Sequence, residues 1–338
     1  MLYIDGFAGP GEYSKKEEGS PIIALKVARD HTQSNKLQRP NIELIFFFIE
    51  KDQERCQNLI QRIDTLQLPS NFKIQTFCAS FAEVFDSILT QIEEQNKTLA
   101  PCFVFVDPFG PTGFSMSLIK RLAKQPKSEV LINFNYQALN QWFLQDPRKH
   151  NHIDDLYGSD IWRAVLQMSD SSQKEAYLIQ AYQKALSDLG WRGRHFRMIN
   201  NHNQTQYYLF FATSSPDGML AMKRAMWSAA PTGDFQYFDL TNPQQPRLFN
   251  KEFYDTVYSQ DLARQLCDTY CGKTVPKQTL IQNDVAWHPI CIERHLTQAL
   301  KIAEYEFTPP KIIEVKLPNS RARRRGTYPD DCTIKFAP

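Results

Sequence analysis

Met1-Leu2-Tyr3-Ile4-Asp5-Gly6-Phe7-Ala8-Gly9-Pro10-Gly11 is the stretch that decides the fold. An apolar strand, Leu2–Asp5, ends in an acid and runs into a glycine-rich turn. Glycine adopts φ > 0 at little steric cost and lets backbone come close to a ligand. At the carboxyl end of a parallel strand, such a turn is where α/β sheets bind nucleotide-like ligands. The spacing Asp5-x-Phe7-x-Gly9-x-Gly11 is not the G-x-G-x-x-G of dinucleotide enzymes. The third glycine position falls on Ser14, and the acid expected about 20 residues further on is missing. A nicotinamide oxidoreductase is therefore disfavoured.

Outward from this turn, the first half of the chain alternates strands and helices. Ser20-Pro21 reads as N-cap and first turn of a helix to about Asp30. Glu43–Ile49 is a nearly unbroken apolar run, as expected of a strand covered on both faces. Residues 52–66 carry Cys56, Leu59, Ile60 and Ile63 on one helical face. A strand (72–77), a helix (81–94), the buried strand Cys102–Val106, a short helix (115–123) and a strand (130–134) follow. This alternation predicts a doubly wound parallel sheet. Residues 136–170 are polar, aromatic-rich and irregular, and read as an insertion facing substrate. A helix (174–189) ends at Gly190, and two antiparallel strands follow, 195–199 and 206–212, giving seven strands.

Residues 1–230 are expected to form this domain, with Met219, Leu220, Met222, Met226 and Trp227 on an apolar packing face of its last helix. Residues 231–252, rich in Pro, Gln, Asn and Thr, read as a linker. Residues 253–338 give three helices and two strand-like segments, 312–317 and 333–336, with Arg321-Ala322-Arg323-Arg324-Arg325 between them. That is the outline of a winged helix.

The 338 residues, 42% hydrophobic and 22% charged, suit a globular protein of two domains. A net charge of +2 excludes a global field that attracts nucleic acid, so any basic patch is local. The seven cysteines are odd in number and irregularly spaced, which predicts reduced, buried thiols and a cytoplasmic setting. Cys267-x-x-x-Cys271 lacks a second pair or a nearby histidine, so no metal site is expected. No basic region precedes the N-terminal apolar residues, so a signal peptide is not expected. No apolar run approaches the roughly 20 residues that span a bilayer.

Three strand ends carry chemistry. Glu50 ends the second strand, where a carboxylate can accept both hydroxyls of a ribose. Ser80, after the third strand, can touch an adenine ring, with Phe81 stacked on it, or cap the next helix with Glu83 as partner; the two roles are compatible. Asp107-Pro108-Phe109-Gly110 follows the Cys102–Val106 strand. A carboxylate there can accept the hydrogens of an amine, and an aromatic beside it can stack on an extruded base. Asn133-Phe134-Asn135-Tyr136 ends the next strand, where amides could read a planar substrate or simply make a tight turn. Trp142, Tyr157 and Trp162 could line a base pocket or anchor the insertion.

The glycine loop resembles the D-x-F-x-G-x-G loop of S-adenosylmethionine-dependent methyltransferases, whose sheet also has seven strands. With Gly19-Ser20-Pro21, Phe105–Gly110, Asn133–Asn135, Tyr208–Ala212 and Met222-Lys223, the chain resembles the three-Cys-motif partner family of methyltransferase-like bacterial proteins. The Asp-x-Phe-Ala-Gly loop with a later Asp-Pro is also similar to ribosomal RNA adenine-N6 methyltransferases. The resemblance implies a Rossmann-like seven-stranded methyltransferase sheet with a C-terminal winged-helix-like domain. It implies S-adenosylmethionine held by Asp5, Phe7, Gly9, Gly11, Glu50 and Ser80, with Asp5 accepting from the cofactor's ammonium directly or through water. Asp107, Pro108 and Phe109 would present an exocyclic amine of RNA or DNA, and Arg321, Arg323, Arg324 and Arg325 would contact phosphates. Amine methyltransferases have Asp/Asn-Pro-Pro-aromatic at this place; here Phe109 stands for the second proline and Gly110 for the aromatic. Members of the family usually have a segment before the first strand, so an open or truncated cofactor site is a further expectation. The family name implies a partner protein with three cysteines. The rival expectation is a non-catalytic nucleic-acid-binding or accessory subunit on the same fold.

Overall fold

The structure is a computed structural model and describes residues 1–14, 16–33, 42–238, 251–318 and 323–338. The chain divides into two compact units, Met1–Ser214 and Ser215–Pro338.

In the first unit, strands β1 (Leu2–Asp5), β2 (Leu44–Ile49), β3 (Phe72–Phe77), β4 (Cys102–Val106) and β5 (Ser128–Phe134) alternate with helices α1 (Ser20–Gln33), α2 (Gln53–Asp64), α3 (Phe81–Glu94) and α4 (Met116–Ala123). Next come α5 (Tyr136–Ala138), α6 (His150–Tyr157), α7 (Ser171–Ser187), β6 (Arg192–Ile199) and β7 (Thr205–Thr213). The strands of this unit lie in the order β3-β2-β1-β4-β5-β7-β6. β1 pairs in parallel with both β2 and β4, so the order reverses there and opens a crevice at the carboxyl ends. β7 runs antiparallel to both β5 and β6.

Burial follows the apolar runs. Ile4, Val104, Val106, Val130 and Ile132 are fully buried in the sheet. α2 buries Cys56, Leu59 and Ile63, and α3 buries Phe81, Phe85 and Leu89. Gly190 takes the left-handed conformation after α7, with φ of 84°.

Within this unit the insertion and two of the cysteines differ from expectation. The 136–170 insertion is helical rather than irregular. It contains α5, a π-turn (Leu139–Phe143), a 3-10 turn (Pro147–Lys149), α6 and a 3-10 segment (Ile161–Gln167). Tyr157 and Trp162 anchor it from inside, Tyr157 donating to the Leu178 carbonyl and Trp162 to Asp154. Cys56 and Cys78 are not free thiols but form a disulfide, because α2 and the turn after β3 bring them within 5.5 Å between Cα atoms. Cys102, Cys267, Cys291 and Cys332 are free and buried.

The second unit starts with α8 (Pro216–Ala229), which the sequence reading had placed in the first domain. A short strand β8 (Gln236–Phe238) lies in the expected linker, and residues 239–250 fall outside the described residues. The unit continues with α9 (Lys251–Thr269), β9 (Thr274–Pro276), α10 (Lys277–Thr279), a π-turn (Leu280–Val285), α11 (Glu293–Tyr305), β10 (Ile312–Lys316) and β11 (Thr333–Phe336). The expected second helix is thus a strand, one helical turn and a π-turn. The sheet runs β10-β11-β9, antiparallel throughout. α8 packs here because Met219, Leu220, Met226 and Trp227 are buried and Lys223 is fully buried. The Lys223 ammonium donates to the carbonyls of Val285, His288 and Cys291. No helix among the described residues is long and apolar enough to cross a membrane.

Candidate functional site

A cleft of about 630 Å³ lies in the first unit at the carboxyl ends of the central strands. Its volume is in the range of small-molecule sites. Gly6, Phe7, Gly9, Glu50 and Ser80 line one part of it, and Asp107, Pro108 and Phe109 another.

The loop after β1 is fixed by its neighbours. Gly6 N–H donates to the Phe105 carbonyl of β4 and Ala8 N–H to the Ile49 carbonyl of β2, each at 2.9 Å. Gly9 and Gly11 have φ of 64° and 80°, where L side chains are strained. A Cβ on Gly9 would sit 3.1 Å from the Tyr13 hydroxyl, and one on Gly11 would sit 2.9 Å from Leu59. Gly9 thus leaves bare backbone on the cleft wall. Phe7 packs against Phe81 with the rings tilted by 43° and their centroids 5.7 Å apart.

Glu50 closes the loop. Its Oε2 accepts from Gly9 N–H and its Oε1 from Asp52 N–H, both at 2.8 Å. Each carboxylate oxygen has a second lone pair, so Glu50 can hold the loop and still accept two hydroxyls. Ser80 lines the cleft and also caps α3, its hydroxyl and N–H both paired with Glu83. Phe81 also lines the cleft, but it is buried and stacks on Phe85 at 5.0 Å, so most of its ring packs in the core.

Asp5 is placed differently from the expectation. It is fully buried beneath the loop, its Oδ1 accepting from Phe7 N–H at 3.2 Å and its Oδ2 from the Ser20 hydroxyl at 2.6 Å. The Ser20 hydroxyl at the start of α1 thus takes up one of the two Asp5 oxygens. Burial pushes the Asp5 carboxyl up to about 7, against the pull of its hydrogen bonds. Asp5 therefore positions the loop.

Asp107 leaves β4 half-buried, and Asn133 Nδ2 donates to its Oδ1 at 2.6 Å. Burial raises the carboxyl and the Asn133 bond lowers it. Phe109 is 87% exposed at the cleft mouth. Sequence reasoning left out several lining residues. Tyr13 comes from the segment between the glycine turn and α1. Lys51 and Arg55 put cations beside Glu50, and Gln206 and Tyr207 arrive from β7 with no local signal. Trp142 is exposed on the insertion.

Of the arginine loop, Arg321 lies outside the described residues. Arg323 pairs with Glu304, which also accepts from Tyr328, so its guanidinium is engaged within the unit. Arg324 is exposed, and Arg325 lies over the Tyr305 ring at 5.0 Å. Among the described residues, no cluster of three or more His, Cys, Asp or Glu could hold a metal.

This strand order, with β7 reversed and a glycine turn at the switch point, is the α/β Rossmann-like methyltransferase fold. No family model and no curated protein matches the chain. Among solved structures, a methyltransferase of Methanosarcina mazei is similar at 12% identity and a TM-score of 0.30, over 62% of this chain and 91% of that one. Magnesium protoporphyrin IX methyltransferase from Synechocystis, with bound S-adenosylhomocysteine, is similar at 12% identity and 0.31, over 63% and 74%. A proposed methyltransferase of Porphyromonas gingivalis is similar at 11% identity and 0.28, over 63% of this chain and 36% of its own. The match likewise covers 56% of a proposed transferase from Pyrococcus horikoshii. The strand order, rather than these likenesses, defines the fold.

Proposed function

We propose that the first unit is an S-adenosylmethionine-dependent methyltransferase acting on an exocyclic amine of a nucleic-acid base. The observation that carries this reading is the shared cleft of Gly9, Glu50 and Asp107. The bare backbone at Gly9 and the acceptor oxygens of Glu50 fit a ligand with vicinal ribose hydroxyls. When bound, S-adenosylmethionine supplies a methyl group on a sulfonium.

The chain's own residues align the two partners. Asp107 Oδ2 accepts an amine hydrogen and orients the nitrogen lone pair. Phe109 offers an exposed ring for a base to stack on. Methyl transfer is an in-line displacement, so alignment supplies much of the rate.

The second unit supports a nucleic-acid partner through its element order: α9, β9, α10, α11, β10, β11. We infer a winged helix from that order, with Arg324 and Arg325 as its phosphate contacts. Arg323 serves the fold instead.

The test is tritiated methyl transfer to mixed tRNA, rRNA and DNA. Wild type is expected to label one class, and Asp107→Ala to lose the label. Absence of labelling in wild type would refute the catalytic reading.

A further inference from the structure

We propose that Asn133 is a positioning residue that determines specificity: it holds Asp107 as a hydrogen-bond acceptor facing the cleft, and so selects a substrate that offers N–H donors over one that offers a carbonyl oxygen. The inference rests on the methyltransferase reading of the cleft and concerns which chemical group that cleft admits.

The placement comes from strand register. β4 and β5 run parallel and in register from Cys102↔Ser128 to Val106↔Ile132. The next residues, Asp107 just past the end of β4 and Asn133 still within β5, therefore stand side by side. The Asn133 amide presents its NH₂ end to Asp107 Oδ1 at 2.6 Å. An NH₂ group has hydrogens to give and no lone pair to offer. It bonds a carboxylate, whereas a protonated acid would favour the opposite end of the amide.

The other end of Asn133 shows that this orientation serves Asp107. Asn133 Oδ1 is buried and has no hydrogen-bond partner among the described residues. A buried acceptor without a donor is destabilising, and native proteins rarely leave one. The amide thus satisfies Asp107 and leaves its own oxygen unpaired. With Oδ1 of Asp107 occupied, Oδ2 remains for the cleft.

The charged and titratable surroundings of Asp107 are mixed in sign. Asp5 at the end of β1 and Tyr13 on the loop both interact with its charge. Glu50 at the end of β2 and Lys51 and Arg55 on the far wall line the same cleft. β5 and β7 contribute Asn135, Gln137, Gln206 and the Tyr207 phenol. Within this setting Asn133 is the group that draws the Asp107 carboxyl down against burial. Its removal leaves burial unopposed by that bond and shifts the carboxyl further toward the protonated, donating form, which suits a carbonyl oxygen.

The test compares wild type with Asn133→Leu, which removes the donor, and Asn133→Ser, which keeps a short one. Carbon-13 NMR titration of the side-chain carboxyls, with Asp107→Asn assigning the signal, is independent of turnover. Asn133→Leu is expected to raise the Asp107 midpoint by about one pH unit or more, and Asn133→Ser to restore most of it. The acid limb of tritiated methyl transfer to mixed tRNA and rRNA should move by the same amount. At low pH that is about a tenfold loss, which shrinks as pH rises, while S-adenosylmethionine affinity stays within about twofold. An unmoved Asp107 titration, or an equal loss of transfer at every pH, would overturn the assignment. If the titration shifts but wild type labels no nucleic acid, Asn133 keeps its role and the methyltransferase reading fails.

Discussion

Glu50 Oε2 accepts the Gly9 N–H at 2.8 Å across 41 residues of sequence. This bond joins the end of β2 to the glycine loop after β1 and makes one wall of the cleft from two distant segments. The loop's geometry therefore depends on Gly9 and on the carboxylate together.

Alanine at Gly9 and at Gly11 separates backbone strain from ligand contact. Each substitution places an L residue at positive φ, which costs about 1–2 kcal/mol. Gly9→Ala adds a methyl on the cleft wall, and Gly11→Ala adds one against Leu59. Both should lower the urea midpoint, but only Gly9→Ala should also weaken S-adenosylmethionine by about tenfold, measured by calorimetry. Equal affinity in the two variants would contradict the placement of Gly9 on the binding wall.

Asp5 makes stability depend on pH. The unfolded chain releases this proton near pH 4, whereas the folded protein holds it to about 7. Between those values the native state binds more protons, so its contribution to stability falls as pH rises through the window. Asp5→Asn, which mimics the neutral acid, should lose less Tm than wild type between about pH 5 and pH 8. Parallel Tm curves would show that Asp5 is ionised throughout.

Lys223 donates to three backbone carbonyls from a fully buried position. Lys223→Met keeps the apolar stem but leaves those carbonyls without a donor. The expected loss is about 3 kcal/mol or more in urea unfolding. A loss under about 1 kcal/mol would mean that water replaces the ammonium.

The Cys56–Cys78 disulfide closes a loop of 22 residues, worth about 3 kcal/mol on the chain-entropy scale. Dithiothreitol should lower the Tm of the wild type and leave a Cys56→Ser/Cys78→Ser variant unchanged. Mass spectrometry of the untreated protein should find the bond; two free thiols there would contradict it.

Much of the sheet was legible because its strands are short apolar runs bounded by turn residues, as in Leu44–Ile49 and Cys102–Val106. The alignment of Glu50, Ser80 and Asp107 was legible for the same reason, since each follows a parallel strand. What was not legible depends on contacts remote in sequence. Asp5 reads as a ligand for a cofactor until the start of α1 places Ser20 on it. The disulfide needs the packing of α2 against the turn after β3, which cysteine spacing does not encode. The insertion lacks a helical period because its turns are π and 3-10 as well as α. Arg323 reads as a free cation until Glu304, on another element, pairs with it.

The most direct measurement is calorimetric titration of wild type and Glu50→Gln with S-adenosylmethionine. Glutamine keeps one acceptor oxygen for the Gly9 N–H but loses the charge-assisted pair of acceptors. Wild type should bind one equivalent saturably, and Glu50→Gln should bind at least about tenfold more weakly. Wild type that gives no saturable heat, or equal affinity in the two proteins, would contradict the assignment of this cleft to the methyl donor.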